Sequence, residues 1–294
     1  MKKKTHIEAS FDAVIITSND LKFGKPPHKF FILVDGLDGK KYQIKFNEHK
    51  QRNNINEYIA YTVGEMCDMP LVDHTFIKLH NEDIEEIEGA MSEYGDTIRK
   101  VDFGLHKENL FFAVEWKQHV TKIDTEDELL DRVMSVSNGT SFFSLYPFDQ
   151  SLKNYDRHLG NHLVAKESKI TKYYLIDFDR IFSSTNWHRI EYDYKCFLPF
   201  AATSQGRDYH LFLLSLVTDK TLKFVNAYTG KIASILDEDI KKMCDTMLGI
   251  FDISKKEVEA IEQWFLYRKS EIAMECLKNE AYFPRVKKGL YSAK

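Results

Sequence analysis

The hydrophobic pattern of this chain changes character once along its length. Strands with one inserted helix come first, helices follow, and a polar stretch lies between them, NYDRHLGNHLV from Asn154 to Val164. A chain of 294 residues is too long for one small core. This order therefore predicts an α+β architecture of two lobes with a cleft where they meet. The strand-rich N-lobe is placed at residues 1–117 and the mainly helical C-lobe at residues 118–294.

FDAVIITS and HKFFILVD are β-branched and aromatic runs that read as strands. A turn at LDGK leads into KYQIKF, where Tyr42, Ile44 and Phe46 alternate with Gln43 and Lys45 at the period of a half-buried strand. The inserted helix runs from about Asn53 to Cys67, with Ile55, Ile59, Val63 and Met66 on one face and Glu57 nearly opposite them. DMPL stops it. LVDHTFIKL and ENLFFAVEW read as further strands, and NEDIEEIEGAMSEYG between them as an acidic amphipathic helix or a loop. Beyond Asp124, DTEDELLDRVMSV opens with the acidic first turn that suits a helix N-terminus. DYHLFLLSLV reads as a short buried helix and DEDIKKMCDTMLGIF as an amphipathic one. The last helix presents Val258, Ile261, Phe265, Ile272 and Cys276 inward and ends at FPRV, because proline cannot continue it.

Composition excludes some classes of function. A net charge of -4 argues against a broad nucleic-acid surface, and the basic end from Arg285 to Lys294 reads as a solvated tail. The four cysteines, Cys67, Cys196, Cys244 and Cys276, form no metal-type pair and fit free thiols in a reducing cytoplasm. No apolar run has the length of a membrane span, and the first ten residues lack the apolar centre of a signal peptide. A cytoplasmic protein is expected, with no membrane partner.

Asp156, His158, Asn161 and Asp177 fall close together in positions that packing alone would not choose. Phosphoryl transfer asks for such groups: carboxylate and amide oxygens for a metal ion, a base beside an attacking hydroxyl, and positive charge on the phosphates. DRHLGN sets an Asp and an Asn five positions apart on a loop. HLVAKE and KYYLIDFD then read as a strand hairpin that brings Asp177 beside Asn161. Each motif alone is common by chance; their order and spacing are more specific.

DRHLGN followed by LIDFD resembles the loop and metal motifs of the atypical kinases, both the phosphatidylinositol 3-kinase-like enzymes and the HipA-like kinases. The small lobe favours the HipA-like group. YQIKF is similar to its nucleotide-lysine strand, NINEYIAYTVGEMCDMPLVD to the helix after it, and FFAVEW to its hinge. The resemblance covers roughly Phe11 to Phe182 and implies an ATP- and Mg2+-dependent kinase acting on a serine or threonine hydroxyl of a protein. In that scheme Lys45 contacts the α- and β-phosphates, and Glu57 holds Lys45. Asp156 is the catalytic base or orients the acceptor, Asn161 and Asp177 bind Mg2+, and Glu115 and Trp116 form the adenine hinge.

His158 has two readings: acceptor activation or phosphate contact, and a packed ring that ties the loop to carbonyls near DFD. Arg157 pairs with a carboxylate or a phosphate. Asp179 stands where a protein kinase has glycine, as an extra metal ligand or an acceptor-side carboxylate. The phosphate loop departs most from the pattern. TSNDLKFGKPPHKF has only Gly24, so Ser18, Asn19 and Lys22 or Lys25 are the candidate donors, and Thr17 or Ser18 the candidate self-phosphorylation site. HipA relatives also work with a DNA-binding antitoxin. No helix-turn-helix is evident here, so such a partner would be a separate chain and direct nucleic-acid binding is not expected. Two alternatives stand beside this reading. A small-molecule kinase of the aminoglycoside or choline type shares the Asp and Asn but usually carries a preceding His-Gly. A nucleotide-binding pseudokinase is suggested by the sparse phosphate loop.

Overall fold

The computed structural model describes residues 7–17, 30–47, 52–93, 102–154, 156–167, 169–182 and 218–269, with Trp187, Tyr209, Phe212, Leu213, Ser215, Leu216 and Glu271. The candidate phosphate loop around Ser18 and Gly24, half of DYHLFLLSLV, Cys196, Ile272, Cys276 and the basic tail lie outside the described residues.

Five strands close into a barrel: β1 (Ile7–Thr17), β2 (Phe30–Gly36), β3 (Lys41–Lys45), β4 (His74–Lys78) and β5 (Leu110–Glu115), in the order β1-β2-β3-β5-β4. Pairing is antiparallel except where β1 meets β4. The period-2 pattern of β3 decides what faces where. Tyr42 and Ile44 enter the barrel core with Ile32, Val34, Phe46, Ile77 and Phe111, while Lys41, Gln43 and Lys45 project from the other face. The acidic segment left open between helix and loop folds as α2 (Asn81–Glu93), so the barrel carries a second helix beside α1 (Asn53–Met66).

α1 is not the half-solvated helix that its single apolar stripe predicts. Every residue from Asn53 to Gly64 is buried, Glu57 among them. The reason lies in position. Ile55, Ile59 and Val63 join one continuous core with Phe112 and Val114 of β5 and with Phe148, Tyr173, Phe178, Met243 and Trp264 of the C-terminal part. α1 is thus packed between barrel and helices, and its polar residues must find partners inside the protein. Gly64 permits this closeness, since a Cβ there would meet Leu71 Cδ1 at 2.5 Å and Phe148 Cζ at 3.3 Å. The DMPL exit then fixes the helix to the second sheet: Leu175 N–H donates to Pro70 O at 2.8 Å.

That sheet holds β6 (Val120–Thr121), β7 (His162–Glu167) and β8 (Ile170–Leu175), with β7 and β8 forming the expected hairpin from His162↔Leu175 to Glu167↔Ile170. The helices of this part are α3 (Glu126–Met134), α4 (Leu145–Leu152), α5 (Asp219–Ala233), α6 (Asp237–Ile250) and α7 (255–269). Thr125 caps α3 by accepting from Glu128 N. α4 escapes a periodicity search because it is short and carries Pro147, which is tolerated in the first turn where no amide partner is needed. Val258, Ile261 and Phe265 face inward as the helical spacing predicts. The result is a mixed α and β fold, strand-rich first and helical after.

Candidate active site

Lys45 ends β3 on the face away from the barrel core. Its Nζ donates to Glu57 Oε1 at 2.5 Å and to Asp177 Oδ1 at 3.0 Å. The same Glu57 oxygen accepts from the backbone N–H of Phe178 at 3.1 Å. One carboxylate thus joins the lysine strand, α1 and the segment after β8. Burial alone would lower the Lys45 pKa, but Asp177, Glu57 and Asp179 together hold it well above its ordinary value, so the ammonium stays charged. The Glu57 pKa is raised as well: burial raises it, and Asp177 adds to the rise against the pull of Lys45. The two directions agree physically, because one ammonium is shared among three carboxylates.

The asparagines of NNINE position this cluster. Asn54 lies at the centre of a buried knot. Its Nδ2 donates to Lys45 O and Phe112 O, each at 2.7 Å, and its Oδ1 accepts from Phe112 N at 3.1 Å. Asn47 Oδ1 accepts from Asn54 N at 2.9 Å, serving the helix N-terminus in place of an ordinary cap. Asn53 Nδ2 donates to Asp179 Oδ2 at 3.2 Å, and Asn56 Nδ2 to Asp179 O at 2.8 Å. Asp179 is therefore buried against α1 and anchors the IDFD segment. Motif spacing does not reach this set, although three asparagines opening one helix are a signal, since asparagine is a poor choice for a helix interior.

The residues expected to form the catalytic loop come together as the hairpin requires. Asn161 Nδ2 donates to Asp156 O at 3.0 Å and to Asp177 O at 3.5 Å. These two carbonyls fix the amide orientation, and Oδ1, buried, has no hydrogen-bond donor among the described residues. Asp177 has a left-handed backbone, φ 62°, which sets its carboxylate beside Lys45. Asn161 and Asp177 thus offer hard oxygen donors of the kind that Mg2+ or Mn2+ takes. Among the described residues no set of three or more His, Cys, Asp or Glu side chains converges as ligands. A cation here would complete its shell with water and phosphate oxygens.

Arg157 is resolved in favour of a carboxylate. It is fully buried, donating from Nε to Asp149 Oδ2 at 2.9 Å and from Nη2 to Asp149 Oδ1 at 3.0 Å, with Nη1 to Ile176 O at 2.8 Å. The tie from the loop to the carbonyls before DFD is therefore made by Arg157, not by His158 as one reading of that ring expects. His158 is exposed, and its Nδ1 accepts from Gly160 N at 3.0 Å, capping the turn Leu159–Asn161. Arg180, which the sequence does not single out, donates to Asp156 Oδ1 at 3.2 Å.

Glu115 and Trp116 lie at the end of β5, with Trp116 stacked on Phe31 at 6.2 Å between ring centroids. Their backbone amides are already used: Glu115 N donates to Asp73 O and Trp116 N to Lys41 O. These two N–H groups are therefore not available to pair with a nucleobase. A cleft of about 500 Å³ opens here, lined by Lys41, Glu115, Trp116, Lys117, Lys166 and Glu167 among others. Ion pairs of Lys117 with Glu115 and Glu167 tie the hinge to the β7–β8 hairpin.

The fold and this site define a kinase-like class of protein. A model of the HipA-like kinase family matches residues 31–210, and the chain belongs to that family. No curated protein matches it. Among solved structures it is similar to the Helicobacter pylori proinflammatory kinase CtkA, with a TM-score of 0.55 and 14% identity over 91% of this chain and 95% of that one. Weaker likenesses, at TM-scores of 0.43 and 0.41, are to Shewanella oneidensis MR-1 HipA in a complex with HipB and operator DNA and to a Golgi casein kinase with Mn/ADP bound. The first is 11% identical over 92% of this chain and 74% of that one; the second is 10% identical over 92% and 72%. Among the described residues no helix is long and apolar enough to cross a membrane.

Proposed function

We propose that this chain is an ATP-dependent protein kinase that transfers the γ-phosphoryl group to a serine or threonine hydroxyl. The observation that carries the reading is the convergence of Lys45, Glu57 and Asp177 through direct hydrogen bonds, with Asn161 linking Asp177 to Asp156. Lys45 meets the α- and β-phosphates as a charged ammonium held in direction by Glu57. Asn161 and Asp177 hold Mg2+, which when bound neutralises phosphate charge. Asp156 orients the acceptor hydroxyl and takes its proton as the new O–P bond forms. The bond from the γ-phosphorus to the bridging oxygen breaks at the same time, and ADP leaves with that electron pair.

A protein acceptor and a separate antitoxin-type partner chain belong to the proposal as what the sequence resemblance to HipA-like kinases implies. The two described cysteines, Cys67 and Cys244, are free and buried, which fits a reducing cytoplasm.

The test is γ-labelled ATP with Mg2+ and cell lysate, comparing wild type with Asp156→Ala. Label in protein from wild type alone is expected. Label confined to small molecules would replace the acceptor class, and nucleotide binding without any Asp156-dependent turnover would leave a binding module.

A further inference from the structure

Among the described residues, the site carries little positive charge for phosphoryl transfer. Lys45 is already embraced by Glu57 and Asp177, with Asp179 within electrostatic reach. Between Asp156 and Asn161 the loop offers only Arg157 and His158. Arg157 is buried with its guanidinium spent on Asp149 and two carbonyls, and His158 caps its own turn. Neither brings positive charge to the γ-phosphoryl group, where charge develops in the transition state.

Arg180 brings a cation to Asp156. Its Nη1 is 3.2 Å from Asp156 Oδ1, and both side chains are only partly buried, 36% and 19% exposed. The segment that carries it is fixed on both sides: Asp179 O accepts from Asn56 and Asp179 Oδ2 from Asn53, and Phe182 N donates to Leu152 O at 2.8 Å. Arg180 thus projects from an anchored backbone to the carboxylate that faces the acceptor. The transferred phosphoryl group must pass between that carboxylate and the metal pair Asn161 and Asp177.

We propose that Arg180 is a catalytic cation that binds the γ-phosphate of ATP and, by moving from Asp156 onto it, releases that carboxylate to receive the acceptor proton. The inference rests on the kinase reading above. A guanidinium suits the task, being always charged and offering paired donors to phosphate oxygens. As the acceptor oxygen bonds to phosphorus and the bridging oxygen departs on ADP, Arg180 holds a non-bridging oxygen of the moving group. Nothing else need change its protonation.

The experiment compares Mg2+-dependent binding of ATP and of ADP by calorimetry in wild type, Arg180→Ala, Arg180→Gln and Arg180→Lys, with thermal unfolding as a check on folding. Loss of the side chain should weaken ATP by about tenfold or more and leave ADP within about twofold, with Lys intermediate, since a charge-assisted hydrogen bond is lost from one ligand only. If the alanine variant unfolds, the glutamine and lysine variants carry the comparison. Equal losses for both nucleotides, or an unchanged ATP affinity, overturn the assignment while wild-type binding keeps the kinase reading. Absence of any nucleotide binding by folded wild type overturns both.

Discussion

Arg157 and Asp149 form a two-point ion pair from which water is wholly excluded, both side chains being 0% exposed. The pair joins α4 to the catalytic loop, and the remaining Arg157 donor reaches Ile176 O one residue before Asp177. Taking one partner away leaves a buried charge. Arg157→Met or Asp149→Leu should each cost about 3–5 kcal/mol in urea unfolding. Arg157→Lys should also be destabilising, because an ammonium cannot reproduce the fork. A loss below about 1 kcal/mol for both single variants would mean that the pair does not hold the loop.

Glu57 should matter for geometry more than for stability. Its Oε1 serves Lys45 and Phe178 N at once, so Glu57→Gln keeps an oxygen acceptor but removes the charge that holds the ammonium. Displacing a positioned group by about 1 Å costs on the order of a hundredfold in rate. Phosphoryl transfer should fall by about that factor with little change in melting temperature. A rate within about threefold of wild type would count against the Lys45–Glu57 link.

Much of this site is legible in the amino-acid order alone. Periodicity separates barrel from helices because a half-buried strand and an amphipathic helix write different patterns, as Tyr42 and Ile44 or Val258 and Ile261 show. For α1 it finds the helix, Asn53–Met66, but not its burial on all sides, because Asn54 and Glu57 carry no apolar signal. Motif spacing marks Asp156, Asn161 and Asp177 because a loop and a hairpin bring them together through local geometry. Asp149, Asn53, Asn54 and Arg180 escape it, since their partners are set by packing between distant segments. Asp179 stands out as an odd residue, but its burial against Asn53 and Asn56 follows only from where α1 lies.

Asp177→Asn isolates the charge proposed to hold Mg2+. The residue sits at φ 62°, a backbone that Asn tolerates nearly as well as Asp, whereas Ala would add strain of about 1 kcal/mol or more. The Asn variant should keep the wild-type melting temperature within a few degrees and lose on the order of a thousandfold in Mg2+-dependent phosphoryl transfer. Unchanged transfer at ordinary Mg2+ would remove Asp177 from the metal site.

Two buried histidines should make the protein acid-sensitive. His162 lies between the hydroxyls of Tyr173 and Tyr209, at 2.8 and 2.6 Å, and burial, with Arg157 nearby, holds its pKa well below 6.5. Burial likewise pushes His106 down to about 4, against the hydrogen bond from Nδ1 to Leu110 O; Nε2 then accepts from Asn47. Both rings are neutral when folded, while in the unfolded chain they take protons near pH 6.5. The unfolded state therefore binds more protons below that pH, and stability falls as pH drops through the window from 6.5 toward 4. Each histidine should contribute a loss of about 2 kcal/mol between pH 7 and pH 5. Urea midpoints at the two pH values measure the sum. His106→Gln can still accept from Asn47 and cannot titrate, so it should remove roughly half of the pH-dependent loss. An undiminished loss in that variant would place the acid sensitivity elsewhere.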